Sequence, residues 1–179
     1  MKSSITILVM LMLFVSCKEE STIKIHKYYD LKTAITNQIS VLDKRKPTFS
    51  KTVWSEKVPE TKNVKIEDWS KEFELFLQTD LNKPAYLNSY EINQSDSSIV
   101  YQLKKSENLP VKDIKILLKN NQMTAMEATI ANQNYLYETD KHVKMTLADN
   151  VVNYYLIEGT QKLVFGDKKA FKIEAKLIK

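Results

Sequence analysis

Few side chains in this sequence have both the type and the spacing that a chemical site requires. Glu138 and Asp140 come shortly before His142, one of only two histidines, and acids and imidazoles this close together could bind a divalent cation. Metal-binding histidines usually have a second ligand at a defined spacing, and the other histidine, His26, has no such neighbour. We therefore expect a solvated hairpin turn at 138–142, and we predict no metal site and no cofactor.

Motifs for catalysis are missing from residues 28–179. This stretch contains no Gly-x-Ser-x-Gly, no Ser-x-x-Lys and no cysteine. The only glycines, Gly159 and Gly166, cannot form a glycine-rich phosphate loop or a dinucleotide fingerprint. We predict that the protein is not an enzyme. Paired carboxylates can lie far apart in a sequence, so a hydrolase without a recognisable motif stays open as a distant alternative.

The one cysteine, Cys17, directly follows an apolar run. Met1-Lys2 provides a positive leader, Ile5–Val15 is uncharged and apolar, and Ser16 is small, which is the order of parts in an export signal. Eleven residues are too few to cross a bilayer core, which takes about 20 residues in a helix. The run therefore predicts an exported protein with a cleavage site at its end.

Residues 14–17, Phe-Val-Ser-Cys, resemble the lipobox of bacterial lipoproteins. This resemblance implies that Cys17 receives a diacylglycerol thioether and then, as a new amino terminus, a further acyl chain such as palmitate. Two or more chains hold a protein stably on a membrane. The resemblance implies a signal peptide at 1–16, a lipidated cysteine and tether at 17–27, and a membrane as partner.

Directly after the cysteine, Lys18, Glu19 and Glu20 resemble the export signal of surface lipoproteins in Bacteroidetes. The resemblance implies a lipid anchor in the outer membrane, with the domain displayed on the cell surface rather than facing the periplasm. A charged, solvated tether is the alternative interpretation of the same three residues.

Composition limits the partners of the remaining chain. Without residues 1–16 it carries 26 lysines and arginines and 22 acids, a net charge of +4. Arg45 is the only arginine, and no dense basic block occurs, so we expect no nucleic-acid partner. Residues 28–179 have the length of a single domain, and without a second cysteine the core must be stable without disulfides.

The early part of this domain has helical periodicity. Apolar residues recur three and four positions apart from Tyr28 to Leu42, with Asp30 as a cap and Pro47 as the stop. A short hairpin is predicted from Phe49 to Ile66. A second helix begins after Asp68, and its stripe is expected to lie in the core: Trp69, Phe73, Phe76 and Leu77.

After Pro84 the pattern changes to the alternation of strands, ending with the clearest one, Phe171–Leu177. Asn120-Asn121 is a favourable two-residue turn, because asparagine tolerates positive φ. The predicted fold class is α+β: two N-terminal helices with a short hairpin between them, packed on a C-terminal antiparallel meander of about seven to eight strands.

Two functions remain, besides the distant hydrolase. The first is an envelope lipoprotein whose domain is a non-catalytic binding or structural module with an envelope-protein partner. The alternative is a carrier of lipid or another hydrophobic ligand, because the layout looks loosely like the outer-membrane lipoprotein carrier and related half-barrel proteins. Seven tyrosines between Tyr86 and Tyr155 could form an aromatic ligand platform, although the strand preference of aromatic residues explains them as well.

Overall fold

The computed structural model describes residues 27–55 and 58–178. The described residues leave out the predicted signal peptide, the predicted lipidation site Cys17, the predicted export signal Lys18, Glu19 and Glu20, and His26. Within the described residues, no helix is long and apolar enough to cross a bilayer.

A single antiparallel sheet dominates the fold. Its strands are β1 (Thr48–Trp54), β2 (Glu60–Lys65), β3 (Tyr90–Gln94), β4 (Ser98–Leu103), β5 (Val111–Lys119), β6 (Gln122–Gln133), β7 (Tyr137–Ala148), β8 (Val151–Leu163) and β9 (Lys169–Leu177). The strands lie side by side in the order β2-β1-β9-β8-β7-β6-β5-β4-β3. The last seven strands are therefore a meander, and the first two continue the sheet beyond β9.

The predicted fold class is wrong in how the parts are assembled. The N-terminal hairpin does not separate two helices that cover a C-terminal sheet, because β1 pairs with β9 and joins the sheet, with Lys51 opposite Ala175. The described helices are short and cover only part of one face. Pairing between strands more than 110 residues apart leaves no local sequence pattern, so alternation reveals each strand but not its neighbour.

The first predicted helix is confirmed. Helix α1 spans Leu31–Arg45, and the side chain of Asp30 accepts a hydrogen bond from the Thr33 amide, as a cap does. The buried residues of α1 include Leu31, Ile35 and Leu42. Lys46 ends the helix in the left-handed conformation, and its N–H donates to the Leu42 carbonyl.

The second predicted helix is present as two shorter ones, α2 (Trp69–Glu72) and α3 (Glu74–Gln78). The chain leaves helical geometry at Phe73, where φ is −98° and ψ is 16°. Asp68 caps α2 as predicted, and the rings of Trp69, Phe73 and Phe76 are fully buried, so their assignment to the core is confirmed.

The core lies between these helices and one face of the sheet, which we call the inner face. Phe49 of β1 and Tyr155 of β8 project from this face and meet rings of α2, with centroids of Phe49 and Trp69 5.2 Å apart. Such edge-to-face contacts stabilise a core beyond the area that they bury. Further along the sheet the same face continues with Met145, Met126 and Ile116, all buried.

Helix α1 lies against the lower end of the sheet, the end that holds the turn between β7 and β8. The buried Gln38 side chain donates to the Asn150 carbonyl and accepts from the Val152 amide, both at 3.1 Å. The opposite end, where β6 ends and β7 begins, we call the upper end. Strands β6, β7 and β8, of 12, 12 and 13 residues, are the longest in the sheet.

Candidate functional site

An open groove runs along the inner face beside α2 and α3, and we call it the helix–sheet groove. Its volume is about 760 Å³. Three strand residues form its floor: Ile157, Phe171 and Ile173. The walls and rim are Lys51, Val64, Ile66, Glu67, Asp68, Lys71, Glu72, Glu74 and Leu75. Ligand sites of proteins commonly have this size and this combination of apolar surface with a few polar groups.

The short length of α2 and α3 explains why the groove is open. Strand β9 directs Phe171, Ile173 and Ala175 to the inner face, two positions apart. Ala175 is fully buried under the helices, whereas Ile173 and Phe171 are only half-buried. The helices thus cover β9 at Ala175 but not at Ile173 and Phe171, so part of the apolar face of the strand stays open.

A hydrogen-bonded group of three side chains forms one wall of the groove. Glu72 of α2 receives the Lys51 ammonium at 2.6 and 2.8 Å and the Tyr155 hydroxyl at 2.7 Å. The side chains of Lys51 and Glu72 are 21% and 16% exposed, and Tyr155 is fully buried. This network ties α2 to β1 and β8, which are not neighbours in the sheet.

The protonation state of Tyr155 follows from this environment. Burial first, and then the negative charge of Glu72 together with the hydrogen bond to it, raise the pKa of the phenol well above its ordinary value of 10.0. Tyr155 is therefore a neutral donor, and Glu72 is occupied by two donors. The three groups satisfy one another, which is the arrangement of a structural network.

Alkaline pH should destabilise the fold through Tyr155. Its pKa is higher in the folded than in the unfolded chain, so its contribution is complete below pH 10 and is lost as pH rises further, by about 1.4 kcal/mol per pH unit. We expect Tyr155→Phe to remove this component of the pH dependence of the free energy of unfolding. Urea unfolding between pH 9 and pH 11 measures it. Phe49→Leu, which removes a core ring without a phenol, should leave the slope unchanged.

The rim of the groove is acidic. Beyond the paired Lys51 and Glu72, it presents Glu67, Asp68 and Glu74 against Lys71, and all four are exposed. Asp68 also caps α2 by accepting from the Lys71 amide. An apolar floor under a negative rim suits a ligand with an apolar body and a neutral or cationic head group.

The residues of the conceivable cation site lie elsewhere. Glu138, Asp140 and His142 belong to β7, so the predicted hairpin turn is wrong at this position. They project from the face opposite the groove, where His142 is opposite Glu158 and Glu138 is 4.0 Å from the Lys168 ammonium. In the part of the chain that the structure describes, no group of three His, Cys, Asp or Glu side chains could hold a metal.

The tyrosines do not form one platform. Tyr90, Tyr101 and Tyr155 are buried in the core. Tyr154, on the opposite face from Tyr155, has the Lys176 ammonium 5.9 Å from its ring centre. Tyr135 and Tyr137 are exposed at the upper end of the sheet. The strand preference of aromatic residues accounts for most of these positions.

Sequence reasoning missed the network of Lys51, Glu72 and Tyr155. One signal was available, because Lys51 alternates in phase with Phe49 and Val53 and so places a charge on the apolar side of a strand. A charge there needs a partner. The identity of that partner depends on how α2 crosses β1, which no local pattern specifies.

Comparison with known proteins gave no match to any protein-family model, curated protein or solved structure.

Proposed function

We propose that the protein is a lipid-anchored, non-catalytic binding module of the bacterial envelope, and that it binds an apolar ligand in the helix–sheet groove. The observation that carries the proposal is the groove floor. Phe171 and Ile173 continue the apolar face of β9 beyond the helices and remain half-buried, although Ala175 on the same face is fully covered. Apolar surface that a domain leaves open beside its core is typical of a binding site.

The charges of the groove favour binding over catalysis. Lys51 and Glu72 are the half-buried ionisable side chains that line the groove, and each is engaged with the other. A general base has to be free to accept a proton from a substrate, whereas this carboxylate already accepts from an ammonium and a phenol. The Lys51–Glu72 pair is therefore better suited to a structural role than to general acid–base catalysis.

Lipid anchoring through Cys17 and location in the outer membrane belong to this proposal, supported by the sequence at 5–20. An anchored domain meets apolar molecules at the surface of the bilayer that holds it. A groove with a negative rim would select those with neutral or cationic head groups over anionic ones, because like charges repel. A carrier that releases its ligand and a module that keeps it would use the same groove.

Binding of a neutral dye tests the groove. We expect Nile red to bind the purified protein, and dodecylamine to displace it at least tenfold more effectively than dodecanoic acid does. Ile173→Lys, which places a charge on the floor, should weaken dye binding at least tenfold. Ile92→Lys is the matched control, because Ile92 lies on the inner face of the edge strand β3, outside the groove.

Two results would contradict the proposal. The first is equal binding by the wild-type protein and Ile173→Lys, which would place the dye elsewhere. The second is an absence of lipid, by mass spectrometry, from protein purified at native concentration together with an absence of dye binding. That outcome would favour the second candidate, a structural role in an envelope assembly, which an exposed apolar cluster at the upper end of the sheet supports.

A further inference from the structure

Two hairpin turns at the upper end of the sheet expose large apolar side chains, and we call this cluster the apolar tip. Its members are Tyr135, Leu136, Leu163, Val164 and Phe165. Phe165 is 93% and Tyr135 is 85% exposed, and the other three are more than half exposed. Contiguous exposed apolar patches often mark interaction sites, and this one lies apart from the groove.

The tip is a defined structure. The turn between β6 and β7 is fixed by Asn134, whose side-chain oxygen accepts from the amides of Leu136 and Tyr137 at 2.8 and 3.0 Å. The Val164 amide donates to the Leu136 carbonyl at 2.9 Å and so holds the two turns together. The exposed side chains are therefore presented side by side on adjoining backbone.

Turn chemistry does not require these residues. The turns at the lower end use Asn120-Asn121 and Asp149-Asn150, all four with positive φ. Small polar residues are the usual choice for such turns. Exposing several large apolar side chains to water does not stabilise the folded chain. A partner surface that covers the tip would account for these residues.

The first described residue lies toward the same end. Lys27, the first described residue, donates to the side chain of Asn88, two residues before β3 begins. Strand β3 begins toward the upper end, where the Tyr90 hydroxyl donates to the carbonyl of Val111, a residue paired with Ile130 near the end of β6. Only nine residues lie between Cys17 and Lys27, and the ten Cα–Cα steps from one to the other reach at most about 35 Å. A tether of this length lets a membrane that holds Cys17 reach the apolar tip.

Lysines flank the tip. Lys162 precedes it, and Lys168 and Lys169 follow it, with Glu138 and Asp167 as the nearby acids. Long lysine stems can lie along apolar surface while the ammonium groups reach phosphate head groups. The apolar centre with a slightly positive border matches the boundary between acyl chains and anionic head groups.

We propose that the apolar tip inserts into the interfacial region of the bilayer that carries the lipid anchor, so that the domain lies against the membrane at two points. This inference rests on the anchoring that is part of the proposed function. Anchor and tip would act together, because the tether raises the local concentration of the tip at the bilayer surface. The tip alone would bind weakly, since its apolar area is small.

Fluorescence quenching in vesicles tests this. The full chain, exported and processed by a bacterial host, is reconstituted into vesicles of phosphatidylethanolamine and phosphatidylglycerol, 3:1, with and without acyl-brominated lipid. Phe165→Trp places a reporter in the tip. Ile178→Trp is the matched control, because Ile178 is also exposed but follows β9 at the lower end. Trp54 and Trp69 contribute the same background to both variants.

We expect brominated lipid to quench the added fluorescence of Phe165→Trp at least threefold and that of Ile178→Trp by less than a tenth. Equal quenching of the two variants would overturn the inference. A blue shift of Phe165→Trp emission that follows protein rather than lipid concentration would also overturn it, and would assign the tip to a second copy of the chain.

Flotation with vesicles tests the lipid anchor independently of the insertion of the apolar tip. If the wild-type protein floats with vesicles in 1 M NaCl and Phe165→Trp is not quenched, the anchor stands and the tip inference fails. If the protein does not float, anchoring fails. In that case excess vesicles should still quench Phe165→Trp in the Cys17→Ser full chain, and Tyr135→Asp should weaken this binding at least fivefold; no quenching would overturn the tip as well.

Discussion

Replacing Gly159 with alanine should lower the free energy of unfolding by about 3 kcal/mol. An alanine Cβ at this position would overlap the Asp140 carbonyl oxygen, well inside van der Waals contact, and would lie 2.9 Å from the Cα of Lys141. Both are backbone atoms of the neighbouring strand β7, so no side-chain rotation can relieve the clash. Strands β7 and β8 would have to separate where Gly159 is paired with Lys141.

Urea unfolding of the two variants Gly159→Ala and Thr160→Ala measures the effect. Thr160 is the next residue in β8 and projects to the other face, so its substitution reports the general cost of a change in this strand. We expect a midpoint shift for Gly159→Ala several times larger than that for Thr160→Ala. Equal shifts would mean that β7 and β8 do not approach as closely as described.

Gly159 also connects the two candidate surfaces. It is paired with Phe171 of the groove floor on one side, and the strand that contains it continues to Leu163 of the apolar tip. A glycine inside a strand usually marks a bend or a close approach of backbones. A substitution that pushes β7 and β8 apart should therefore disturb the tip, whose two turns are joined by the bond from Val164 to Leu136.

Local signals in the sequence predicted the elements that depend on local physics. Helix α1 has its apolar stripe, its Asp30 cap and its stop at Pro47 within 18 residues of chain, and it was predicted almost to the residue. The turn at Asn120-Asn121 was predicted for a similar reason, because positive φ is a preference of the residue itself.

What could not be predicted depends on contacts between distant parts of the chain. The apolar alternation of β1 predicts a strand, but nothing in residues 48–54 indicates that β9 will be its partner. The helix predicted after Asp68 is interrupted at Phe73, since burying three rings against the sheet outweighs the regular helix of the local pattern. The groove follows from that short helical layer.

The apolar tip shows a different limit. The sequence from Leu163 to Phe165 is apolar and follows the strand pattern of β8, so it gives no sign that these residues would be exposed. Exposure becomes visible only when the strand lengths are known and β8 is seen to extend past the helical layer. The membrane proposal therefore needs two kinds of support: the exposed apolar residues that the structure shows, and the resemblance of residues 14–17 to a lipobox, which comes from the sequence.

Removing the Glu72 carboxylate should cost the fold about 3 kcal/mol. In Glu72→Ala, the Lys51 ammonium loses its bidentate partner while only 21% of its side chain is exposed. The Tyr155 hydroxyl loses its acceptor in a fully buried position. An orphaned buried donor costs the desolvation that the hydrogen bond had offset, so the loss exceeds the net value of the bonds themselves. Glu74→Ala, two residues on and exposed, should change stability by less than about 0.5 kcal/mol.

A double replacement tests whether the Lys51–Glu72 ion pair stabilises the fold or is only tolerated by it. Lys51→Met combined with Glu72→Leu removes both charges and leaves only the phenol unpaired, so it should recover more than half of the stability that Glu72→Ala loses. Adding Tyr155→Phe should recover most of the remainder, since the orphaned hydroxyl then disappears. Midpoints of urea unfolding at an unchanged m-value test this series. If the triple variant is less stable than Glu72→Ala, these three side chains contribute specific stabilisation that apolar packing does not replace, and the wall of the groove is then polar because the fold requires it.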